Sequence, residues 1–484
     1  MNDDRGELVE LWDHQKKAIE TYKDMSKYGL FFDVGTGKTA TAIGMMRQKY
    51  LKHSTLLRTL ILCPPIVINN WKKEIMMWTN VKDRDIHELR GPVPQRIEVV
   101  TDLIQKQKTG IIITNYEALI NEKFHQVLLG FRAQVIIADE SHKIKNPGAK
   151  RTKRCFTLGD SVPYRIIMSG SPILRNAMDL WSQFRFLDSG DSFGASFYEF
   201  RSKYFYDKNA TARHIKFPDW RPRKEMEAKV TEKIDRLSMR IRKDECLDLP
   251  PLVKKVQEVD LSNEQAKMYD EMKKDFIAYM GGEVVVAQNA LTKALRLQQI
   301  VSGHIPMEAL ETGDKKLRYF RKTPRDDALR DILEQVAFEH KVIIWAVFRA
   351  NYETIRKICK ELKLGYVEIH GEVTDKARDK GVHRYNNDPD VRVCIGHPGS
   401  GGIGINLVDK LSTQSYSIFY SRNFSLEFDI QAEARNYRGG SERYEKVTRI
   451  DLVAKDTIDE HIMSCLRQKK VISASILQDI VEEI

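Results

Sequence analysis

Short, unbroken apolar runs alternate along the chain with longer stretches in which charged residues interrupt the apolar ones. A first group comprises GLFFD (29–33), TLILCP (59–64), GIIITNY (110–116), QVIIADE (134–140) and YRIIMSGSP (164–172). After a long gap a second group follows: KVIIWAVF (341–348), VEIH (367–370), VRVCIGHP (391–398), YSIFYS (416–421) and TRIDLVA (448–454). A strand with one wet face alternates apolar and polar side chains. Continuous runs rich in Ile and Val predict strands covered on both faces, hence parallel sheets built of βα units. Functional residues are then expected in loops at the carboxyl ends of those strands.

Between the groups, from about 188 to 335, the chain is charged, has few strand-like runs and reads mostly as helix. One helix start is explicit in SNEQAKMYDEMKKDF: Ser262 as N-cap with Gln265 three residues on, a capping box. LDLPP at 247–251 marks a natural break. The expected organisation is an N-terminal α/β lobe over 1–245, with a helical protrusion at about 188–245, and a C-terminal lobe over 246–484. In the latter a helical segment at about 255–335 precedes a core at about 336–484.

Composition narrows the class without naming a function. With 484 residues, 42% hydrophobic and 30% charged, the chain can fill more than one core. The formal charge of +11 favours a polyanionic partner. Six cysteines (63, 155, 246, 359, 394 and 465) form no C-x-x-C pair, which argues against zinc spacings and a disulfide framework and for a reducing compartment. The longest apolar stretch, LILCPPIVI, holds two prolines and is too short for a membrane span. The acidic opening MNDDRGELVE lacks the form of a signal peptide, so a soluble, intracellular protein is expected.

Three stretches carry candidate chemistry. In DVGTGKT, Gly35, Gly37, Lys38 and Thr39 follow a strand-like run and precede a helical ATAIGMMRQKY. Glycines let backbone amides approach phosphate oxygens, a lysine there spans the β- and γ-phosphates, and the threonine hydroxyl ligates Mg²⁺. The usual pattern G-x-x-x-x-G-K-[ST] would want a glycine where Phe32 stands, so a plain glycine-rich turn competes with this reading. In VIIADESHKIKN, Asp139 and Glu140 end an apolar strand. The first carboxylate could hold Mg²⁺ and the second polarise an attacking water, with His142 either structural or sensing the γ-phosphate. In FDIQAEARNYRGG, Gln431, Arg435 and Arg438 are spaced by four and three, which predicts one helical face. They read either as a solvated stripe or as arginine fingers. The nearby GSGGIGIN (399–406) is a glycine-dense loop and could be a simple turn.

Taken in order, these blocks resemble helicase superfamily 2 and, within it, the Snf-type (SWI/SNF-like) DNA-dependent ATPases, over nearly the whole chain. LWDHQKKAI looks like the opening motif, which would make Gln15 the reader of the adenine edge. DVGTGKT matches D-E-x-G-x-G-K-T, which does not demand the leading glycine and adds Thr36 to the ATP contacts. LILCPPIVINNWKKEI, ITNYEAL and DESHKIKN follow as in that family. MSGSPILRN is similar to the block that couples ATP state to DNA grip, a role implied for Ser169, Gly170 and Ser171 together with His142 and Gln431. RKDECLDLPP and LSNEQAKMYD resemble lobe-bridging segments, and GGIGINL, QAEARNYR and DTIDEHI complete the set, with Gly404 beside the nucleotide. Three departures stand out. Pro398 and Gly399 replace Thr-Arg, Arg422-Asn423-Phe424 replaces Trp-Asn-Pro, and Gly440-Ser441 replaces Gly-Gln.

The resemblance implies an α/β fold of two RecA-like lobes with parallel sheets and helical insertions. It implies ATP and Mg²⁺ as cofactors, with the metal near Thr39 and Asp139. Lys38, Asp139, Glu140, Arg435 and Arg438 would be catalytic, the arginines acting only when the lobes close. Duplex or branched DNA would be gripped without sequence preference by Asn70, Trp71, Thr114, Asn115, Phe348, Arg349, Ser400, Gly401 and Gly402. The implied product is a translocase that remodels DNA by branch migration or fork regression. Alternatives are a motor that displaces proteins or a polymerase, a strand-separating helicase, and a DNA-binding switch that does not translocate. A stripped motor of bacterial or phage type, monomeric without DNA and residing in the cytoplasm with the nucleoid or in the host cytoplasm, is the expectation.

Overall fold

The structure, a computed structural model, describes residues 10–170, 177–210, 218–275, 277–280, 283–286, 290–309, 315–321, 323–399 and 405–468. The chain divides into two compact units, Met1–Leu247 and Asp248–Ile484.

The strands of the first unit are β1 (Lys27–Phe32), β2 (Thr59–Cys63), β3 (Ile86–Glu88), β4 (Ile111–Asn115), β5 (Val135–Asp139), β6 (Tyr164–Met168), β7 (Phe205–Asp207), β8 (Trp220–Pro222) and β9 (Ser238–Ile241). Seven of them form one sheet in the order β3-β4-β2-β5-β6-β1-β9, parallel throughout, while β7 and β8 make a separate antiparallel pair. Every residue of β2, β4 and β5 is buried, which is why their sequences do not alternate. Removing one such Ile or Leu from water contributes about 1.5–3 kcal/mol, so the central strands anchor the sheet. Because the strands run the same way, the segments after Phe32, Cys63, Asn115, Asp139 and Met168 all emerge along one edge of it.

The second unit repeats the plan with β10 (Leu252–Val259), β11 (Ile277–Met280), β12 (Glu283–Val286), β13 (His304–Ala309), β14 (Lys315–Tyr319), β15 (Lys341–Trp345), β16 (Gly365–Ile369), β17 (Val391–Gly396), β18 (Gln414–Phe419) and β19 (Lys446–Ala454). Six strands form a parallel sheet ordered β10-β19-β18-β15-β17-β16. Strand β15 shows its double covering directly. Val342 and Ile344 join one apolar cluster with Leu329 and Leu333, while Ile343 and Trp345 join another with Ile369 and Leu407. The capping box is present, with Gln265 N donating to Ser262 Oγ and Ser262 N to Gln265 Oε1 at the start of the helix Asn263–Asp275.

All the quoted apolar runs form parallel strands, and among the described residues of 188–335 helical residues outnumber strand residues, but the region also carries strands that its sequence hides. It holds β7 to β14, of which β11-β12-β13-β14 form an antiparallel sheet, β9 extends the first parallel sheet, and β10 extends the second. The reason lies in position. Strands β9 and β10 are edges, each paired on one side only, and β10 is exposed along most of LVKKVQEV. Edge strands tolerate, and use, charged side chains that hide the strand pattern.

Candidate functional site

Strand β1 ends at Phe32, and the loop behind it closes around one carbonyl. The oxygen of Asp33 accepts from Thr36 N (3.4 Å), Thr36 Oγ1 (2.8 Å) and Lys38 Nζ (3.1 Å), and the same ammonium donates to Phe32 O at 2.8 Å. Gly35 and Gly37 have φ of 90° and 80°, which a side chain would strain, and Gly37 caps the helix Lys38–His53. The missing leading glycine is thereby accounted for: Phe32 is a buried strand residue and the loop is confined to 33–37. Gln15 is buried beside it, accepting from Trp12 N (2.7 Å) and donating to Gly37 O (3.0 Å). Its helix, Asp13–Lys23, is tied to Lys38–His53 by Lys49, whose buried ammonium donates to the carbonyls of Tyr22 (3.1 Å), Lys23 (2.9 Å) and Met25 (2.5 Å). No local signal marks Lys49, because its acceptors lie 24 to 27 residues away.

Two strands along, β5 delivers the acid pair. Asp139 is buried and held by neutral donors: Trp71 Nε1 on Oδ2 and Glu140 N on Oδ1, both at 2.9 Å. Burial, and secondarily the neighbouring charge of Glu140, pushes the Asp139 carboxyl up from its ordinary value. Glu140 sits in the left-handed region (φ 50°, ψ 53°), a conformation that costs a non-glycine residue about 1–2 kcal/mol. Its amide bond to Asp139 and the bond from Lys143 N to its carbonyl (2.9 Å) keep it there. His142 Nδ1 lies 3.3 Å from Glu140 Oε2 and 3.0 Å from Ser169 Oγ, bridging the acid pair to the end of β6. Gly170 completes the link, since a Cβ there would stand 2.9 Å from Val34 Cγ2 and 3.4 Å from Lys38 Nζ. Lys38, Asp139, Glu140, His142, Ser169 and Gly170 therefore meet along one sheet edge, and Thr39 follows in the first helical turn.

The expected partner-gripping residues are placed differently. Trp71 is 1% exposed, so its side chain serves the acid pair and does not present itself on the surface. Thr114 is also buried. Arg96, unmarked in the sequence, donates to Asn115 Oδ1 at 2.7 Å and to Thr114 Oγ1 at 3.4 Å. Asn70 is half-buried and donates to Glu74 Oε1 (2.9 Å). In the second unit Phe348 lies edge-on to His304 (5.1 Å), and the exposed Arg349 faces Glu372 at 3.1 Å. Ser171, Ser400, Gly401, Gly402 and Gly404 lie outside the described residues.

One expectation needs correction. Gln431, Arg435 and Arg438 do not share a helical face, because the helix Leu426–Glu433 ends before the arginines. The Arg435 side chain takes the Gln431 carbonyl (Nε to O, 2.8 Å) while its own amide turns back to Ala432 O, which tightens the chain out of the helix. Tertiary folding still brings the arginines together, since both donate to Ile405 O, at 3.0 and 3.2 Å. Arg422, the departure noted above, belongs to a buried ion cluster. It pairs with Asp451 and Asp429, Arg449 pairs with Asp429, Glu433 and Asp451, and both guanidiniums lie 4.3 Å from the centre of the Phe419 ring.

Among the described residues no helix is long and apolar enough to cross a membrane. Human TATA-binding protein-associated factor 172 is 23% identical over 97% of this chain and 28% of its own length. An uncharacterized ATP-dependent helicase of Mycoplasma genitalium is 25% identical over 99% and 43%, respectively. A putative protein of Acyrthosiphon pisum secondary endosymbiont phage 1 is 24% identical over 96% and 97%. The chain thus spans 25% to 43% of the length of the first four curated relatives, and nearly all of the phage protein. Among solved structures, the Sulfolobus solfataricus SWI2/SNF2 ATPase core in complex with dsDNA is 24% identical, covering 98% of this chain and 93% of that one with a TM-score of 0.43. The model of the SNF2-related domain matches residues 14–304, more than half of the sequence, and the chain belongs to that family.

Proposed function

We propose that this chain is a DNA-dependent ATPase of the Snf type, a motor that moves along duplex DNA and remodels DNA structures by branch migration or fork regression. The observation that carries the ATPase reading is the meeting of Lys38, the Asp139–Glu140 pair and Gly170 along one sheet edge. Lys38 exchanges the carbonyls of Phe32 and Asp33 for the β- and γ-phosphates of ATP. Glu140 takes the proton of the attacking water, and His142 passes the state of that carboxylate to Ser169. Adjacent buried carboxylates suit a divalent cation, so Asp139 and Thr39 would hold Mg²⁺, which would neutralise phosphate charge. Arg435 and Arg438 act on the transferring phosphoryl group during turnover. The net charge of +11 and the family support a DNA track.

A second reading keeps the motor and makes a DNA-bound protein its cargo. It is favoured by relatives named as factors associated with the TATA-binding protein. Both are tested by measuring ATP turnover with duplex, single-stranded and four-way-junction DNA and with RNA, scoring junction dissociation and release of a duplex-bound repressor in parallel. Duplex stimulation with junction dissociation supports the first reading, and duplex stimulation with repressor release alone supports the second. Stimulation by RNA only would overturn both.

A further inference from the structure

The strands β4, β2 and β5 are neighbours, and two buried aromatic donors converge on the residue that ends β5. From the helix after β2, Trp71 Nε1 donates to the Asp139 carboxylate (2.9 Å). Immediately after β4, the Tyr116 hydroxyl donates to the Asp139 main-chain carbonyl (2.6 Å). Each aromatic is 1% exposed, and each adjoins a proposed DNA contact: Asn70 before Trp71, and Thr114–Asn115 before Tyr116. Asp139 is therefore gripped at its carboxylate and at its backbone by the two segments that the DNA reading places on the track.

We propose that Trp71 and Tyr116 are positioning residues that form a relay, through which DNA held against the segments that carry them sets the orientation of Asp139 and so stimulates ATP turnover. The relay rests on the DNA-dependent ATPase reading above. Packed elements of this kind transmit small shifts because neither ring can move without moving its hydrogen-bond partner. The Trp71 bond to the carboxylate biases an equilibrium by roughly 10- to 100-fold, and the Tyr116 bond to the neutral carbonyl by roughly 2- to 10-fold.

The experiment compares the full chain with its Tyr116→Phe and Trp71→Phe variants. Turnover is measured at saturating ATP with and without duplex DNA, and DNA and nucleotide affinities are measured separately. Tyr116→Phe removes one oxygen, so it keeps a folded test available should Trp71→Phe disturb packing. The relay requires the ratio of stimulated to unstimulated turnover to fall roughly 3- to 10-fold in Tyr116→Phe, and further in Trp71→Phe, with DNA and nucleotide affinities changed less than about twofold. The double variant should be little worse than the weaker single, as for parts of one device. A ratio unchanged from wild type, with both rates falling together, would show a merely structural role and overturn the relay. So would a loss of stimulation explained by weaker DNA binding. If the wild-type chain is not stimulated by DNA at all, the proposed function fails first and the relay with it.

Discussion

The acid pair of the first unit and the arginine cluster of the second hold their charges by opposite means. In the first, the Asp139 carboxylate takes an indole and an amide N–H, and the buried Lys49 donates to three carbonyls, as Lys341 of the second unit does to two. In the second, Arg422 and Arg449 are held by Asp429, Glu433 and Asp451. A charge held by neutral dipoles keeps its net sign and can act on a ligand. A charge held by its opposite is already neutralised and acts as a brace. The ion cluster includes Asp429 and Glu433 of the helix Leu426–Glu433, and so fixes the element that leads into Arg435 and Arg438.

The comparison is tested most severely on the groups assigned to chemistry. Arg438→Ala is expected to reduce ATP turnover by roughly 10³-fold while sparing nucleotide binding, as a group acting on the transferring phosphoryl would. Glu140→Gln should reduce turnover by roughly 10²-fold or more, and Lys38→Ala should abolish nucleotide binding as well. Full turnover in Glu140→Gln, read in a steady-state phosphate-release assay, would remove the acid pair from the mechanism.

A brace should fail as a structural part. Arg449→Met leaves Asp429 and Asp451 with Arg422 alone and Glu433 with Lys254, and is expected to destabilise the second unit by about 3–5 kcal/mol. Denaturant unfolding followed by hydrogen exchange should show the loss among second-unit amides, leaving the first unit unchanged. Adding Asp451→Asn should recover part of it.

Acidification probes the second unit more gently. Burial holds the His304 imidazole down at about 4, against about 6.5 in an unfolded chain. The unfolded state therefore binds the proton first, and the stability His304 confers, complete above pH 6.5, is lost as pH falls towards 4. Between pH 8 and pH 5 the second unit should lose about 2 kcal/mol that His304→Gln does not lose. The smallest effect expected is that of Lys49→Met, about 1–2 kcal/mol from uncapping the helix that carries Gln15. Its diagnostic is a few-fold rise in KM for ATP with weaker discrimination against GTP. An unchanged ATP-to-GTP preference would mean that Lys49 supports the fold without setting Gln15.

Much of this was legible beforehand, for identifiable reasons. Strands such as β2, β4 and β5 are buried on both faces, so their burial is written residue by residue. Strands β9 and β10 were hidden because an edge strand owes its place to one partner and keeps charged side chains in water. The loop 33–39 and the acid pair were legible because each is a local piece of chain whose chemistry lies in consecutive residues. The bond from Trp71 to Asp139 is not legible in the sequence because its acceptor is 68 residues away, and Arg422 is visible there only as a departure because its ion partners come from other elements.

By itself, then, the sequence determined two parallel α/β sheets, a glycine-bearing loop between a strand and a helix, an acid pair at a strand end and an arginine segment, since each rests on local pattern and backbone geometry. Tertiary structure decided what grips them: Trp71 and Tyr116 on Asp139, Gln15 on Gly37, Lys49 on the end of the helix Asp13–Lys23, and Ile405 under both arginines. Those partners are chosen by which strands lie side by side. That choice is a property of the packed sheet, and no short stretch of chain contains it.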